Sequence, residues 1–268
     1  MPEGHVIHRL AHMLDTTFSG TIPQVSSPQG RFNTEASLID GCAYSHSEAW
    51  GKHLFIHFDS SQIENIVYIH LGLIGSLRFE PRDETWGQIR FRIAISDTAA
   101  NLRGPQWCRL VTEADMQQAI SRLGADPLRD DANPEVIKQK IARSQRSIAS
   151  LLMDQKLFAG VGNIYRAETL FRLGINPFIT GKSLGQFDDI WQDLVFLMNE
   201  GVRVGKIDTV RPEHTPQAMG RDPRKDDHGG EVYVYRRANQ PCYICGTPIL
   251  EQTYEGRNLF WCPTCQPG

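Results

Sequence analysis

The chain has 268 residues, 28 basic and 31 acidic side chains and a formal net charge of -3. That length can bury a core without disulfides, no run approaches the apolar length of a membrane span, and the opening Met-Pro-Glu-Gly-His lacks the basic-then-apolar pattern of a secretory signal. An intracellular, cytoplasmic protein is therefore expected, and total charge gives no ground for reading a nucleic-acid binder. The distribution does: residues 129–182 carry 9 basic and 5 acidic side chains, while residues 1–128 carry 10 and 14. A positive face, and not a positive total, is what a polyanion requires.

Residues 5–14 place Ile7, Leu10, Met13 and Leu14 near one helical face. Short β-rich runs follow at 54–58, 66–69, 75–79 and 89–95, and the alternation of the last predicts a half-buried strand. Residues 1–125 thus read as a helix leading into an antiparallel β-sandwich. Residues 124–134 read as a linker ending in Asn133-Pro134, a cap followed by a proline that needs no N–H. One helix is predicted over about 134–152, with Ile137, Ile141, Ile148, Leu151 and Leu152 on its apolar side, and a second from Asn163 to Leu173, stopped by Gly174.

The turn between these helices carries Gln155, Lys156, Gly160, Gly162 and Asn163, with Arg143 and Arg146 on the helix before it. Glycine amides and a capping asparagine at a helix start would form a phosphate cradle; the alternative is a plain helical packing unit. Residues 201–231 are rich in charge, Pro and Gly and read as a long loop containing His214 and His228, before a return to strand at 231–235.

Cys242-Tyr-Ile-Cys245 and Cys262-Pro-Thr-Cys265 are two Cys-x2-Cys knuckles, 16 residues apart. Four soft thiolates suit one structural zinc ion and leave no open position for chemistry; two disulfides or an iron-sulfur centre are the alternatives. Two short strands between the knuckles turn around Glu255-Gly256-Arg257, which puts a guanidinium at a hairpin tip. Cys42 and Cys108 read as buried small residues.

In this order, Pro2-Glu3, the Gly-Val-Gly-Asn-Ile-Tyr run at 160–165, the four-cysteine knuckle and the arginine-tipped hairpin resemble the formamidopyrimidine-DNA glycosylase and endonuclease VIII family over essentially the whole chain. The opening is similar to the endonuclease VIII branch, its actinobacterial members in particular. The resemblance implies an α+β multidomain protein: a catalytic β-sandwich with an N-terminal helix (1–125), a linker (126–133), a helix-two-turn-helix domain with a long charged loop (134–231) and a zinc finger (232–268). It implies a monomer that binds damaged double-stranded DNA between its halves, with bubble or single-stranded DNA as alternatives, and no membrane partner.

The implied activity is base excision followed by β,δ-elimination at the abasic site. Pro2, freed of Met1, is the implied Schiff-base nucleophile and Glu3 the proton donor. Lys52, in Trp50-Gly51-Lys52-His53-Leu54, and Arg257 are the implied elimination and phosphate-contact residues. Asn163, with Gly160 and Gly162, is implied to hold phosphate, Leu73 to fill the gap left by an extruded base, and Arg103 to reach the opposite base. The chemistry suits these types: an α-amino group titrates near 8, so part of it is unprotonated at neutral pH. Asn101-Leu102-Arg103-Gly104 departs from the family's Arg-Arg-Phe-Gly wedge, and the 208–230 segment replaces a shorter loop. The first bears on opposite-base specificity; the endonuclease VIII-like opening points to oxidised pyrimidines, with abasic sites as general substrates. The competing readings are a catalytically inactive damaged-DNA-binding protein and a zinc-stabilised interaction module.

Overall fold

Two periodicities, helical at the start and alternating after it, set the architecture of residues 1–123. The computed structural model describes residues 2–225 and 230–268 and divides the chain into two units, Met1–Leu123 and Gly124–Gly268. Met1 and His228 therefore lie outside the described residues. No described helix is long and apolar enough to cross a membrane.

In the first unit, helix α1 (Gly4–Phe18) is followed by β1 (Gln24–Ser26), α2 (Asn33–Ile39), β2 (Ala43–Trp50), β3 (His53–Asp59), β4 (Ile66–His70), β5 (Ser76–Pro81), β6 (Ile89–Ala94), β7 (Thr98–Arg103), β8 (Trp107–Val111) and α3 (Glu113–Ile120). The strands form two antiparallel four-stranded sheets, ordered β1-β6-β7-β5 and β2-β3-β4-β8. Ile7, Leu10, Leu14 and Phe18 of α1 share one core with Ile56, Val67 and Ile69 of one sheet and Phe91, Ile93 and Leu102 of the other. A smaller cluster, Phe55, Ile66, Val111 and Met116, lies where α3 meets β3, β4 and β8. A capping box closes the start of α3, Thr112 accepting from the Asp115 amide while the Asp115 carboxylate accepts from that of Thr112.

The predicted half-burial of β6 is corrected by its partners: its alternation is real, but Arg92 is buried as well. Its guanidinium donates to Asn101 Oδ1 at 2.7 Å and to the carbonyl of Glu84, so the polar face is enclosed through satisfied hydrogen bonds.

The second unit contains α4 (Pro134–Ile141), α5 (Ile148–Met153), α6 (Asn163–Arg172), α7 (Phe187–Val204), α8 (Pro216–Met219), β9 (Leu250–Tyr254) and β10 (Arg257–Trp261). Asn133 caps α4 with Pro134 in the first turn, as its sequence dictates. The single helix expected over 134–152 is two. After Ile141 the backbone pairs with 179–182 instead of continuing: Ile148 N donates to Ile179 O, Gly181 N to Arg146 O and Lys182 N to Ser144 O, and Ser147 caps a new helix. The chain before α4 also joins this unit, since Gly124 N donates to Gln155 O and Ala159 N to Ala125 O. A Cβ at Gly124 would stand 2.1 Å from Leu157 O, so that approach requires glycine.

Two further expectations are corrected here. The 201–231 loop begins inside α7, whose Ile190, Leu194, Leu197 and Met198 are buried; it then holds a short helical turn at Pro212–His214 and α8. No strand forms at 231–235. The Glu168 carboxylate, fully buried, accepts from the amides of Tyr233 (2.7 Å), Val234 (2.9 Å) and Tyr235 (2.9 Å) and from Thr209 Oγ1 (2.6 Å). Those amides have no need of a neighbouring strand. One core, including Leu152, Phe171, Met198, Tyr233, Ile249 and Phe260, runs from the helices into the cysteine-bearing hairpin.

Replacing Glu168 with Ala strands the three buried amides of residues 233–235 at once and should cost about 3–5 kcal/mol. Urea unfolding measures this, and a loss under about 1 kcal/mol would contradict the clamp.

Candidate functional site

Residue types capable of chemistry gather in two places, one in each unit. In the first, Pro2 and Glu3 precede α1, with Pro2 half-buried and the Glu3 side chain fully buried. Glu3 is the helix N-cap in extended conformation. A group at this end sees the positive pole of the helix, which disfavours a protonated amine.

Lys52 sits in the tight turn between β2 and β3, where Gly51 has φ 58°. Its charge is felt by His53 and His70. Register explains this grouping: Trp50 pairs with His53, and His70 with Trp107, so these side chains cross one face of the sheet in a row. His53 Nδ1 lies 2.5 Å from Tyr68 Oη, and the His70 ring stacks on Trp107 at 4.5 Å. Burial, then the neighbouring His70 and Lys52, hold the His53 imidazole down at about 4; burial, then Lys52, also lowers His70. At neutral pH His53 is therefore uncharged. His70 was visible in the sequence only as part of His-Leu-Gly, whereas His53, Tyr68 and Trp107 gave no local signal because register alone assembles them.

The turn after β4 presents Leu73, 70% exposed, and beside it Ile74, 88% exposed, which the sequence reading did not single out. The loop is tight: Gly75 N donates to Leu71 O, Gly72 N to His70 Nδ1, and a Cβ at Gly75 would stand 2.3 Å from Leu71 O. Two neighbouring apolar side chains held in solvent on a rigid loop suit insertion into a partner.

Arg103 is placed otherwise than expected for a residue reaching a base. It is 9% exposed, pairs with Glu80 Oε2 at 2.8 Å, donates Nε to Trp86 O and lies 3.9 Å from the Trp86 ring centroid. These contacts tie β7 to β5 and to the β5–β6 connection.

In the second unit, Asn163 opens α6, but its side chain does not cap it; the N-cap is Gly162. Asn163 Nδ2 instead donates to Asn258 O on β10 at 3.0 Å, and its Oδ1 accepts from Arg166. The expected cradle of exposed glycine amides is corrected too. Gly160 and Gly162 are buried, and Gly160 N donates to Gln155 Oε1, whose amide donates to Val161 O and closes the turn.

Arg143, Arg146, Lys156 and Arg257 are among the exposed cations of this unit. Arg257 follows the two-residue turn Glu255-Gly256, with φ of 47° and 74°, which pairs Arg257 with Tyr254. Its guanidinium reaches Met153 Sδ at 3.7 Å, and Ser150 Oγ donates to Glu255 Oε1 at 2.6 Å, so the tip is fastened to α5. A cavity of about 210 Å³ between them is lined by Arg146, Ser150, Asp154, Arg166, Glu255 and Arg257 among others. It is lined by three guanidinium groups.

Cys242, Cys245, Cys262 and Cys265 have their sulfurs within 4.8 Å of one another and could hold a metal ion. Sγ–Sγ separations are 3.8 Å for Cys242–Cys265 and 3.5 Å for Cys245–Cys262. The Ile244 and Cys265 amides point at thiol sulfurs.

Models of the formamidopyrimidine-DNA glycosylase N-terminal domain and H2TH domain match residues 1–106 and 123–212. The chain is 45% identical to endonuclease 8 1 of Mycobacterium tuberculosis over 277 residues, covering 99% of this chain and 100% of the relative. It is 30% identical to a formamidopyrimidine-DNA glycosylase of Prochlorococcus marinus, covering 91% and 89%. Among solved structures, MutM (Fpg) of Thermus thermophilus matches with TM-score 0.74 and 27% identity over 99% and 98% of the two chains. Lactococcus lactis Fpg in complex with abasic-site DNA matches with TM-score 0.81 at 18% identity, over 99% and 100%.

The depressed His53 sets a pH dependence. Its folded value, about 4, lies below the ordinary 6.5, so the unfolded chain binds the extra proton between these limits. Its contribution is complete above pH 6.5 and is lost as pH falls towards 4. Between pH 7 and 4.5 the protein should lose about 2–3 kcal/mol more unfolding free energy than a His53→Asn variant. Parallel curves for the two proteins would contradict the assignment.

Proposed function

Because the chain belongs to the formamidopyrimidine-DNA glycosylase and endonuclease VIII family, we propose that it excises damaged bases from DNA and cuts the abasic site through the amine of Pro2. The observation that carries this reading is the end-to-end 45% identity to an endonuclease 8, which joins Pro2-Glu3 at the start of α1 to the four-cysteine hairpin in one chain. Oxidised pyrimidines are the proposed lesions, on the endonuclease VIII-like opening Met-Pro-Glu-Gly-His.

In the proposed reaction Met1 is removed first, since an acylated proline nitrogen has no lone pair to give. The Pro2 nitrogen attacks C1′ of a nucleotide turned out of the stack, the glycosidic bond breaks, and the base leaves with a proton supplied through Glu3. The C1′–O4′ bond then opens, O4′ taking a proton, and the resulting iminium draws electrons from the sugar. Loss of a 2′ proton expels the 3′ phosphate, a second elimination expels the 5′ phosphate, and hydrolysis of the iminium returns the amine.

Lys52 and Arg257 hold the flanking phosphates so that the sugar reaches Pro2, and each can supply a proton during elimination. Asn163 contributes by position: its hydrogen bond to Asn258 O fixes β10 one residue from Arg257. Gly160 and Gly162 shape the turn before it. Leu73, with Ile74, fills the space of the extruded nucleotide. Arg103 is omitted from the DNA contacts, given its pairing with Glu80.

Zinc is the proposed ion of the four-cysteine site. A tetrahedron with Zn–S of about 2.3 Å has edges of about 3.8 Å, close to the Sγ–Sγ separations of 3.5 and 3.8 Å. With all four ligands thiolates, zinc supplies folding free energy to the hairpin and no chemistry.

Borohydride reduction of the Met1-free protein on an abasic duplex should trap a covalent complex, and protein retaining Met1 should trap at least a hundredfold less. No trapping by the processed protein, or equal trapping by both, would overturn the mechanism.

A further inference from the structure

We propose that His46, Glu48 and His57 form a second metal site, on the β2–β3 edge of the sandwich, taking a divalent transition ion of the zinc class. Register builds the site. His46 and His57 are direct cross-strand partners, and Glu48 lies two residues along β2 from His46, so all three side chains share one face of the sheet. A bulge between Tyr44 and His46 makes this possible. Without the extra residue Ser45 would oppose His57, and His46 would fall out of this pairing. Bulges of this kind re-aim a side chain.

The three donor atoms lie within 4.8 Å of one another. A metal about 2.1 Å from each donor allows separations up to about 4.2 Å, so a small rotation of the exposed His46 ring closes the set. The two imidazole rings are stacked at 4.1 Å and 13°. His57 Nε2 is buried and lies 3.2 Å from Glu48 Oε1, yet it makes no aligned hydrogen bond to any described residue. A buried nitrogen 3.2 Å from a carboxylate oxygen but not hydrogen-bonded to it is one that a cation held by both would satisfy.

The surroundings hold the ligands in the required orientation. Trp50 Nε1 donates to Glu48 Oε2 at 2.6 Å, which leaves Oε1 facing His57. Ser45 Oγ lies 3.3 Å from His46 Nδ1, which leaves Nε2 as the outward nitrogen. Ligands fixed by outer hydrogen bonds in this way bind metal more tightly. Two imidazoles and one carboxylate are donors that zinc, copper and nickel accept, and three protein ligands leave a fourth position for water. Because β2 is an edge strand, an ion here would also clasp it to β3.

The donor set separates this site from the four thiolates spectroscopically. Protein loaded with one zinc per chain is titrated with cobalt(II) at pH 7.5. We expect one further equivalent, giving the weak visible bands of nitrogen and oxygen coordination with no near-ultraviolet thiolate charge-transfer band. His46→Ala, an exposed position that leaves the core untouched, and His57→Ala should each weaken this uptake at least tenfold, and Glu48→Gln should weaken it measurably. Absence of a second equivalent at millimolar cobalt would overturn the proposal, as would uptake that the His46→Ala and His57→Ala variants retain undiminished.

Discussion

Helix α6 is buried along almost its whole length, and the partners that Asn163, Arg166, Glu168 and Arg172 find inside the protein organise the second unit. Asn163 and Arg166, at its start, hold the carbonyl of Asn258 on β10. Glu168, in the middle, gathers three consecutive amides of 233–235 and the hydroxyl of Thr209. Arg172, at its end, pairs with Asp193 of α7 and donates to Thr209 O. A single ten-residue helix thus ties down the hairpin, the chain leading to it and its longest neighbouring helix. β9 is largely exposed, so the position of Arg257 depends on these bonds, on the four-cysteine cluster and on Leu259 and Phe260 reaching the shared core.

The first unit solves a different problem. One face of the β2-β3-β4-β8 sheet packs into the sandwich core, while the other carries α3 over part of its area and leaves the rest to histidines and aromatics. Uncovered sheet surface usually carries charge; here it carries rings that stack on one another, with burial holding His53 neutral. The fixed positive charge at this platform comes from Lys52, felt by His53 and His70, and from Arg109 and Arg122, felt by Tyr68.

Much of this was legible in the sequence because it is local. The period of α1, the cap at Asn133-Pro134, the start of α6 at Asn163 and the Cys-x2-Cys spacing depend on residues within one or two turns of each other. Misreadings occurred where distant residues intervene. Residues 231–235 alternate like a strand, yet their amides are claimed by Glu168, more than sixty positions earlier. The run 134–152 is apolar at helical spacing, yet 144–148 pairs with 179–182. Arg103, implied by the resemblance to reach the opposite base, is paired with Glu80 of β5. The candidate site divides in the same way: Pro2, Glu3, Lys52 and Arg257 are proposed from motif and order, while the ring platform and the His46-Glu48-His57 group exist only once the strands are in register.

The central claim is that the reactive amine belongs to Pro2, and the nearest chemical rival is the amine of Lys52. Tryptic mass mapping of the borohydride-reduced complex with abasic DNA separates them. The sugar adduct is predicted on the N-terminal peptide spanning residues 2–9, with the peptide containing Lys52 unmodified. An adduct on Lys52 with an unmodified N-terminus would contradict the account.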